Sequence, residues 1–337
     1  MTFSIVAKEG DAVGIAVQSK FVSVGSVVPF ASADAGAIAT QSFANVAYGE
    51  DGLEHLRNGL TAEETVERLT EEDDEAERRQ VGVVGVRGSD ASASQPDADA
   101  SGDADGSVAG FTGEDCFDTA LDVQGENYTV QGNILENEET VYAMAGAFED
   151  ANGGLPERLL AALEAGDEAG GDSRGKQAAA LYVVKPEGGY DGGNDRWIDV
   201  RVDDHETPIQ ELRRVFKLYD VTLLGRKEPD DVQELDGQTA KEVAETLVDL
   251  GHLDVDEGTS SGSRTASDDV EDAEGVVAFA EPQREALEAF RGFNNFENHS
   301  LPTIEDALAR GWDDAEGEGE ERMVDAIWHG LQRLERQ

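Results

Sequence analysis

Thr2 stands directly behind Met1, at the head of the apolar run Phe3-Ser4-Ile5-Val6-Ala7. A residue as small as threonine normally permits removal of the initiator methionine, which would make Thr2 the amino terminus. Hydroxyl and free α-amine would then belong to one residue, a nucleophile carrying its own proton acceptor. An unperturbed α-amine titrates at roughly 7.7 to 8.0, so a useful fraction is neutral near pH 7. Many chains open with the same two residues and make nothing of them. What matters is how the following segments would hold Thr2.

Thr2 to Lys8 alternates and is rich in β-branched residues, Glu9-Gly10-Asp11 reads as a turn, and Val13 to Val17 runs back as a second strand. This hairpin returns Gln18-Ser19-Lys20 to the level of Thr2. Ser19 and Lys20 are therefore candidates to orient the hydroxyl and lower the amine's pKa, because a nearby cation favours the neutral amine. A strand end with an exposed lysine is the plainer alternative. Thr40 and Gln41 close a further strand, Ala37 to Gln41, and with Asn45 beyond it either line a pocket or cap the helix that follows. The Gly132-Asn133 turn offers an amide or a backbone N–H to a developing oxyanion, or an Asn held in a left-handed turn. In Gly171-Asp172-Ser173-Arg174-Gly175 the arginine could clamp a substrate carboxylate in bidentate fashion. Equally, Arg174 and Asp172 could pair to shape the loop.

Thr2 to Ala7, Ser19-Lys20-Phe21, Val24 to Pro29 and Ala39 to Asn45 form an ordered series of motifs. Gln80 to Val84, Phe111-Thr112-Gly113, Val130 to Leu135, Gly170 to Gln177 and Asp199 to His205 continue it. Over roughly residues 1 to 224 the chain resembles the domain of unknown function 1028 family, a group similar to N-terminal-nucleophile (Ntn) hydrolases. The resemblance implies an α+β fold, a four-layer αββα sandwich, with Thr2 as nucleophile after loss of Met1. It implies hydrolysis of a C–N bond in a small amide or peptide-like substrate, without a cofactor. Asp203 joins Thr40, Gln41, Asn45, Asp172 and Arg174 as substrate-binding candidates, beside the catalytic set Thr2, Ser19, Lys20 and Asn133. The alternative is a silent scaffold of the same fold that binds a ligand.

The net charge of −48, from 26 basic and 74 acidic residues, is spread over the whole chain, and only seven of the basic residues are lysine. Such a surface suits concentrated salt, where screening weakens self-repulsion. A haloarchaeal-type cytoplasm is the expected setting. Nucleic acid, which needs a positive footprint, is an unsuitable partner. A single cysteine, Cys116, excludes an intrachain disulfide and a Cys-rich metal site. No metal is expected: Asp203-Asp204-His205 reads as a capping loop before Thr207-Pro208, and Asp97-x-Asp99 lacks the Glu that a calcium loop requires at position twelve. No apolar stretch reaches membrane-spanning length, and the start lacks a secretory signal's pattern. Self-association is left open.

Helices are expected over Asp51 to Gly59, Thr61 to Arg79 with a Thr61-x-x-Glu64 capping box, Glu138 to Asp150, Leu155 to Ala165, and from Pro208 to about Tyr219. Residues 88–107 read as an acidic low-complexity insertion. Residues 225–280 read as an acidic bridge with a short helix over Thr239 to Leu250 and a Gly/Ser linker. Residues 281–337 read as a small helical module. Its segment Ala289 to Glu297 is similar to a peptidoglycan-binding-like module found fused to this family, with a docking or dimer-forming unit as the alternative.

Overall fold

A computed structural model describes residues 2–87, 107–254 and 279–336. The Gly/Ser linker, the Asp97 segment and all but Ser107 of the acidic insertion lie outside the described residues. The chain divides into two compact units, Met1–Phe216 and Lys217–Gln337.

In the first unit the period-two pattern of the N-terminal segment becomes β1 (Thr2–Glu9), paired antiparallel with β2 (Ala12–Ser19). Two sheets result. The smaller is β3 (Pro29–Ser32), β4 (Gly36–Gln41), β5 (Gln80–Gly85) and β6 (Val108–Thr112), in that order. The larger adds β7 (Leu121–Gln124), β8 (Tyr128–Asn133), β9 (Ala178–Val184) and β10 (Arg196–Val202), in the order β10-β9-β2-β1-β8-β7. β1 is thus central, with Thr2 opposite Ser19 on one side and Asn133 on the other.

Val6, Ile15 and Val17 of the large sheet meet Ala37, Ala39 and Val84 of the small one in a shared core. The opposite face of the small sheet, through Ile38, Val81 and Val83, buries against Leu53, Leu56, Val66 and Leu69. Those side chains come from α1 (Ala47–Arg57) and α2 (Ala62–Glu71). α3 (Glu139–Asp150) and α4 (Leu155–Glu168) cover the large sheet. The unit is therefore a mixed fold of two antiparallel sheets with helices on both outer sides. Close approach of the sheets depends on Gly82, where an added Cβ would lie 2.1 Å from Gln131 Oε1.

The expected capping box at Thr61 and Glu64 forms in both directions. α2, however, ends at Glu71 and not at Arg79. The Asp73 carboxylate accepts from the Glu75 amide at 2.9 Å and from Arg79, which turns the chain out of the helix into a short 3-10 turn, Ala76–Arg78. β3 and β7 were not anticipated. Each is a four-residue, partly buried edge strand, too short for a clear alternation, and Pro29 is tolerated at an edge. His205 Nδ1 accepts from the Thr207 amide at 3.0 Å, ahead of α5 (Pro208–Leu223).

The second unit contains helices Gly237–Asp249, Glu281–Phe293, Leu301–Gly311 and Gly319–Leu331. One core joins Val221, Leu235, Val243, Leu247, Leu287, Phe290, Ile304, Leu308, Ile327 and Leu331. Residues expected to belong to an acidic bridge, Leu235 and Val243 among them, are thus part of this unit's interior. Their acids lie on outer faces, while Ala240, Val243, Ala244 and Leu247 supply the i, i+3, i+4, i+7 stripe. In Ala289 to Glu297, Phe290 and Phe296 are core residues and Phe293 is exposed. No helix among the described residues is long and apolar enough to cross a membrane.

His299 makes this unit acid-sensitive. Its Nε2–H donates to the Val221 carbonyl at 2.8 Å, and Nδ1 has no partner among the described residues. Burial, assisted by the charges of Arg226 and Arg291, outweighs that bond and pushes its pKa down to about 4. The unfolded chain takes up this proton near pH 6.5, so stability is lost as pH falls from about 6.5 to about 4. Denaturation followed by Trp312 and Trp328 fluorescence should show this decline, and His299→Gln should flatten it. An unchanged slope in the variant would remove His299 as the cause.

Candidate active site

Strand pairing on both sides fixes the backbone of Thr2, and the side chain is 7% exposed at the floor of a cavity of about 520 Å³. Thr2 Oγ1 donates to Ser19 Oγ at 3.1 Å. Ser19 reaches that position because the β1–β2 register places it opposite Thr2. The walls combine Gln41 and Arg174 with the apolar side chains of Phe21, Val24, Val28 and Phe43.

Beneath Thr2 the space between the sheets is polar. Ser4 Oγ donates to Gln41 Oε1 at 2.8 Å and accepts from Gln131 Nε2 at 2.6 Å. Gln80 Oε1 accepts from Gln41 Nε2 at 2.7 Å and from Asn133 Nδ2 at 3.0 Å. The Gln80 amide donates to Thr112 Oγ1 at 2.9 Å and to the Gly132 carbonyl at 2.9 Å, and Thr112 donates to Asp122 at 2.7 Å. Gln41 Nε2 and Asn133 Nδ2 also approach the Thr2 carbonyl, at 3.3 and 3.4 Å. This lattice joins both sheets under the hydroxyl and fixes the height of Thr2. In a low-dielectric interior, a network with this many mutual hydrogen bonds is rigid.

The outer wall carries backbone strain. Ser42 and Phe43 have φ of 56° and 52°, the left-handed region that side chains with a Cβ avoid. Three contacts hold this turn: Arg79 donates to the Phe43 carbonyl, Arg78 lies 4.0 Å over the Phe43 ring, and Phe117 packs 5.3 Å from it. Arg79 is anchored by Asp73 at 3.0 Å. Burial opposes ionisation of Asp73. Hydrogen bonds from Arg79, the Glu75 amide, Asn45 and Tyr48 overcome it and hold the carboxyl at about 2. The brace is therefore charged at any pH near neutrality.

Of the residues singled out in the sequence, Thr2, Ser19, Gln41 and Arg174 border the cavity. Asn133 sits opposite Thr2 but commits its amide to Gln80 and the Thr2 carbonyl, and Asn133 Oδ1 is buried without a partner among the described residues. Its amide is thus not aimed at an oxyanion. The Lys20 ammonium is exposed and donates to the Lys176 carbonyl at 3.1 Å, so that cation braces the neighbouring loop. Asp172 is buried and accepts from the Lys20 amide at 2.8 Å and the Arg174 amide at 2.9 Å, which shapes the loop and makes no wall. Thr40 donates to the Asn45 carbonyl at 3.1 Å, and Asn45 accepts from the Ala47 amide at the start of α1. Both serve the turn into the helix. Asp203 is exposed, and its carbonyl accepts from the Ser23 amide at 3.0 Å.

Sequence reading missed Arg78, Arg79 and Phe43. Arg78 and Arg79 fall at the end of the helix expected over Thr61 to Arg79, where basic residues are ordinary. Gln80 and Gln131 were visible only as polar residues at inward positions of otherwise apolar strands. That was a usable signal, because buried polar side chains must find partners.

Residues 2–212 match the Family of unknown function (DUF1028). The chain belongs to that family. A crystal structure of a DUF1028 protein from Silicibacter pomeroyi is similar to it, with a TM-score of 0.55 and 27% identity. The match covers 65% of this chain and 89% of that one. Comparison with the curated proteins gives no match. The DUF1028 match ends before the second unit begins.

Proposed function

We propose that this DUF1028 protein is an Ntn-type amidohydrolase with Thr2, freed of Met1, as its nucleophile. The reading is carried by one observation: among the described residues, the hydroxyl that both begins a central strand and borders the cavity is that of Thr2. The two facing antiparallel sheets with outer helices are in keeping with an Ntn-type αββα sandwich, the fold that the reading requires.

In the reaction, Thr2 Oγ attacks the amide carbonyl carbon and its proton passes to the neutral α-amine. The tetrahedral adduct collapses, the C–N bond breaks, and the amine delivers that proton to the leaving nitrogen. Water then attacks the resulting ester, gives a proton to the amine and releases the acid, while Thr2 Oγ recovers its hydrogen. Ser19 Oγ orients the nucleophile through the 3.1 Å contact. The β-branch of threonine restricts χ1 and favours a single attacking geometry. Removal of Met1 would leave the free α-amine on the residue that stands opposite Asn133 in the strand register.

Intact mass of the purified protein, paired with turnover of a broad panel of small amides, tests this. A mature chain lacking methionine and active on the panel is expected. Turnover by a chain that retains Met1 would dismiss Thr2 as an amine-activated nucleophile.

A further inference from the structure

We propose that the substrate is an N-acyl amino acid with an apolar side chain, its free carboxylate read by Arg174 at the rim of the Thr2 cavity. This rests on the hydrolase reading for the identity of the scissile amide. The recognition itself depends only on the walls.

Charge is the first argument. Across the chain there are 74 acidic residues to 26 basic. The cavity inverts that ratio: Arg78, Arg79 and Arg174 line it, against the single carboxylate of Glu75. An acidic protein that gathers arginines around the Thr2 hydroxyl presents that hydroxyl to an anion.

The arginines divide by environment. Arg79 is 12% exposed and serves Asp73, Glu75 and the Phe43 carbonyl, a structural brace. Arg78 is bound to Glu75 at 2.6 Å and lies on Phe43, which fixes that wall. Arg174 is 44% exposed and lines the cavity, with its Nη2 3.4 Å from Asp172 Oδ2. Asp172 instead accepts backbone amides at 2.8 and 2.9 Å, one of them from Arg174 itself. Those amide bonds shape the loop from which Arg174 lines the cavity.

Chemistry selects the anion. A guanidinium presents parallel N–H donors that match the two oxygens of a carboxylate. In concentrated salt the Debye length is about 3 Å at 1 M, so only a contact pair retains its attraction. The remaining walls, Phe21, Val24, Val27, Val28 and Phe43, are apolar and suit a hydrophobic side chain. A cavity of about 520 Å³ takes a small molecule, not a folded polypeptide.

The test is calorimetric binding of N-acetyl-L-leucine and N-acetyl-L-phenylalanine, each beside its neutral C-terminal amide, to the full-length Thr2→Ala chain. The acids are expected to bind at least about tenfold more tightly than the amides, one charge-assisted contact's worth. Arg174→Gln should reduce that preference to less than threefold, and Arg174→Lys, which keeps charge but not the planar fork, should restore only part of it. Circular dichroism verifies that each variant folds, and Arg78→Gln provides a second reading of the same wall with a smaller loss. Equal binding of acid and amide, binding of neither, or an undiminished preference in a folded Arg174→Gln overturns the inference. Failure here leaves the nucleophile intact if amides are still hydrolysed. Conversely, an acid preference in a protein whose turnover ignores Thr2 would retain the carboxylate site and discard the hydrolase.

Discussion

Thr2→Ala is expected to lower kcat/KM on any amide substrate by about a thousandfold or more, with the melting temperature shifted by no more than a few degrees. Loss of a covalent nucleophile typically costs that much or more. The folded state loses little, because Thr2 Oγ1 makes one 3.1 Å hydrogen bond, to a serine beside the cavity. A neutral bond of this kind is worth about 1 kcal/mol. Alanine at position 2 still permits removal of Met1, so the variant deletes the hydroxyl and keeps the amine. Thr2→Ser keeps the hydroxyl and loses the rotamer restraint of the β-branch, so it should retain activity within about tenfold. Steady-state rates for the three proteins, normalised to the fraction lacking Met1, make the comparison. A Thr2→Ala protein as active as wild type would leave the hydroxyl without a catalytic task.

The second large effect is on stability. Gln80→Leu should destabilise the first unit by about 3–5 kcal/mol and abolish activity even at temperatures where the chain remains folded. Gln80 Oε1 is the common acceptor for Gln41 Nε2 and Asn133 Nδ2, and its amide serves Thr112 Oγ1 and the carbonyls of Leu121 and Gly132. Leucine fills much of the volume but strands those partners in a region where Gln41, Gln131 and Asn133 are at most 1% exposed. Each buried polar group left unmatched costs about 1–3 kcal/mol. The same atoms fix Gln41 and Asn133 against the Thr2 carbonyl, so Thr2 would lose its fixed height as well. Urea unfolding monitored by Trp197 reports the first unit. A loss below about 1 kcal/mol would show that the lattice is loose, and rigid support of Thr2 would have to come from strand pairing alone.

The hairpin that carries Thr2 was legible because alternation, a Glu9-Gly10-Asp11 turn and β-branched residues all agree locally. Register then follows: an eight-residue strand folded back through a two-residue turn places Ser19 beside Thr2 with no choice left. The capping box at Thr61 was equally local. The edge strands β3 and β7 were hidden because each owes its conformation to a neighbour and not to its own four residues. The end of α2 was misread for a related reason. Asp73 competes for backbone amides only once Arg79 and Asn45 are folded against it.

The amino-acid order by itself determined the nucleophile's candidate, its strand, its serine neighbour and the acidic character of the chain, since each is a property of adjacent residues or of a sum over the chain. Tertiary structure decided which polar groups support Thr2 from below and which arginines surround it. Gln41, Gln80, Gln131 and Asn133 come from three strands on two sheets, and Arg78 and Arg174 from separate loops nearly a hundred positions apart. Their meeting depends on how closely the sheets pack at Gly82, and a distance between layers is not written in any local segment.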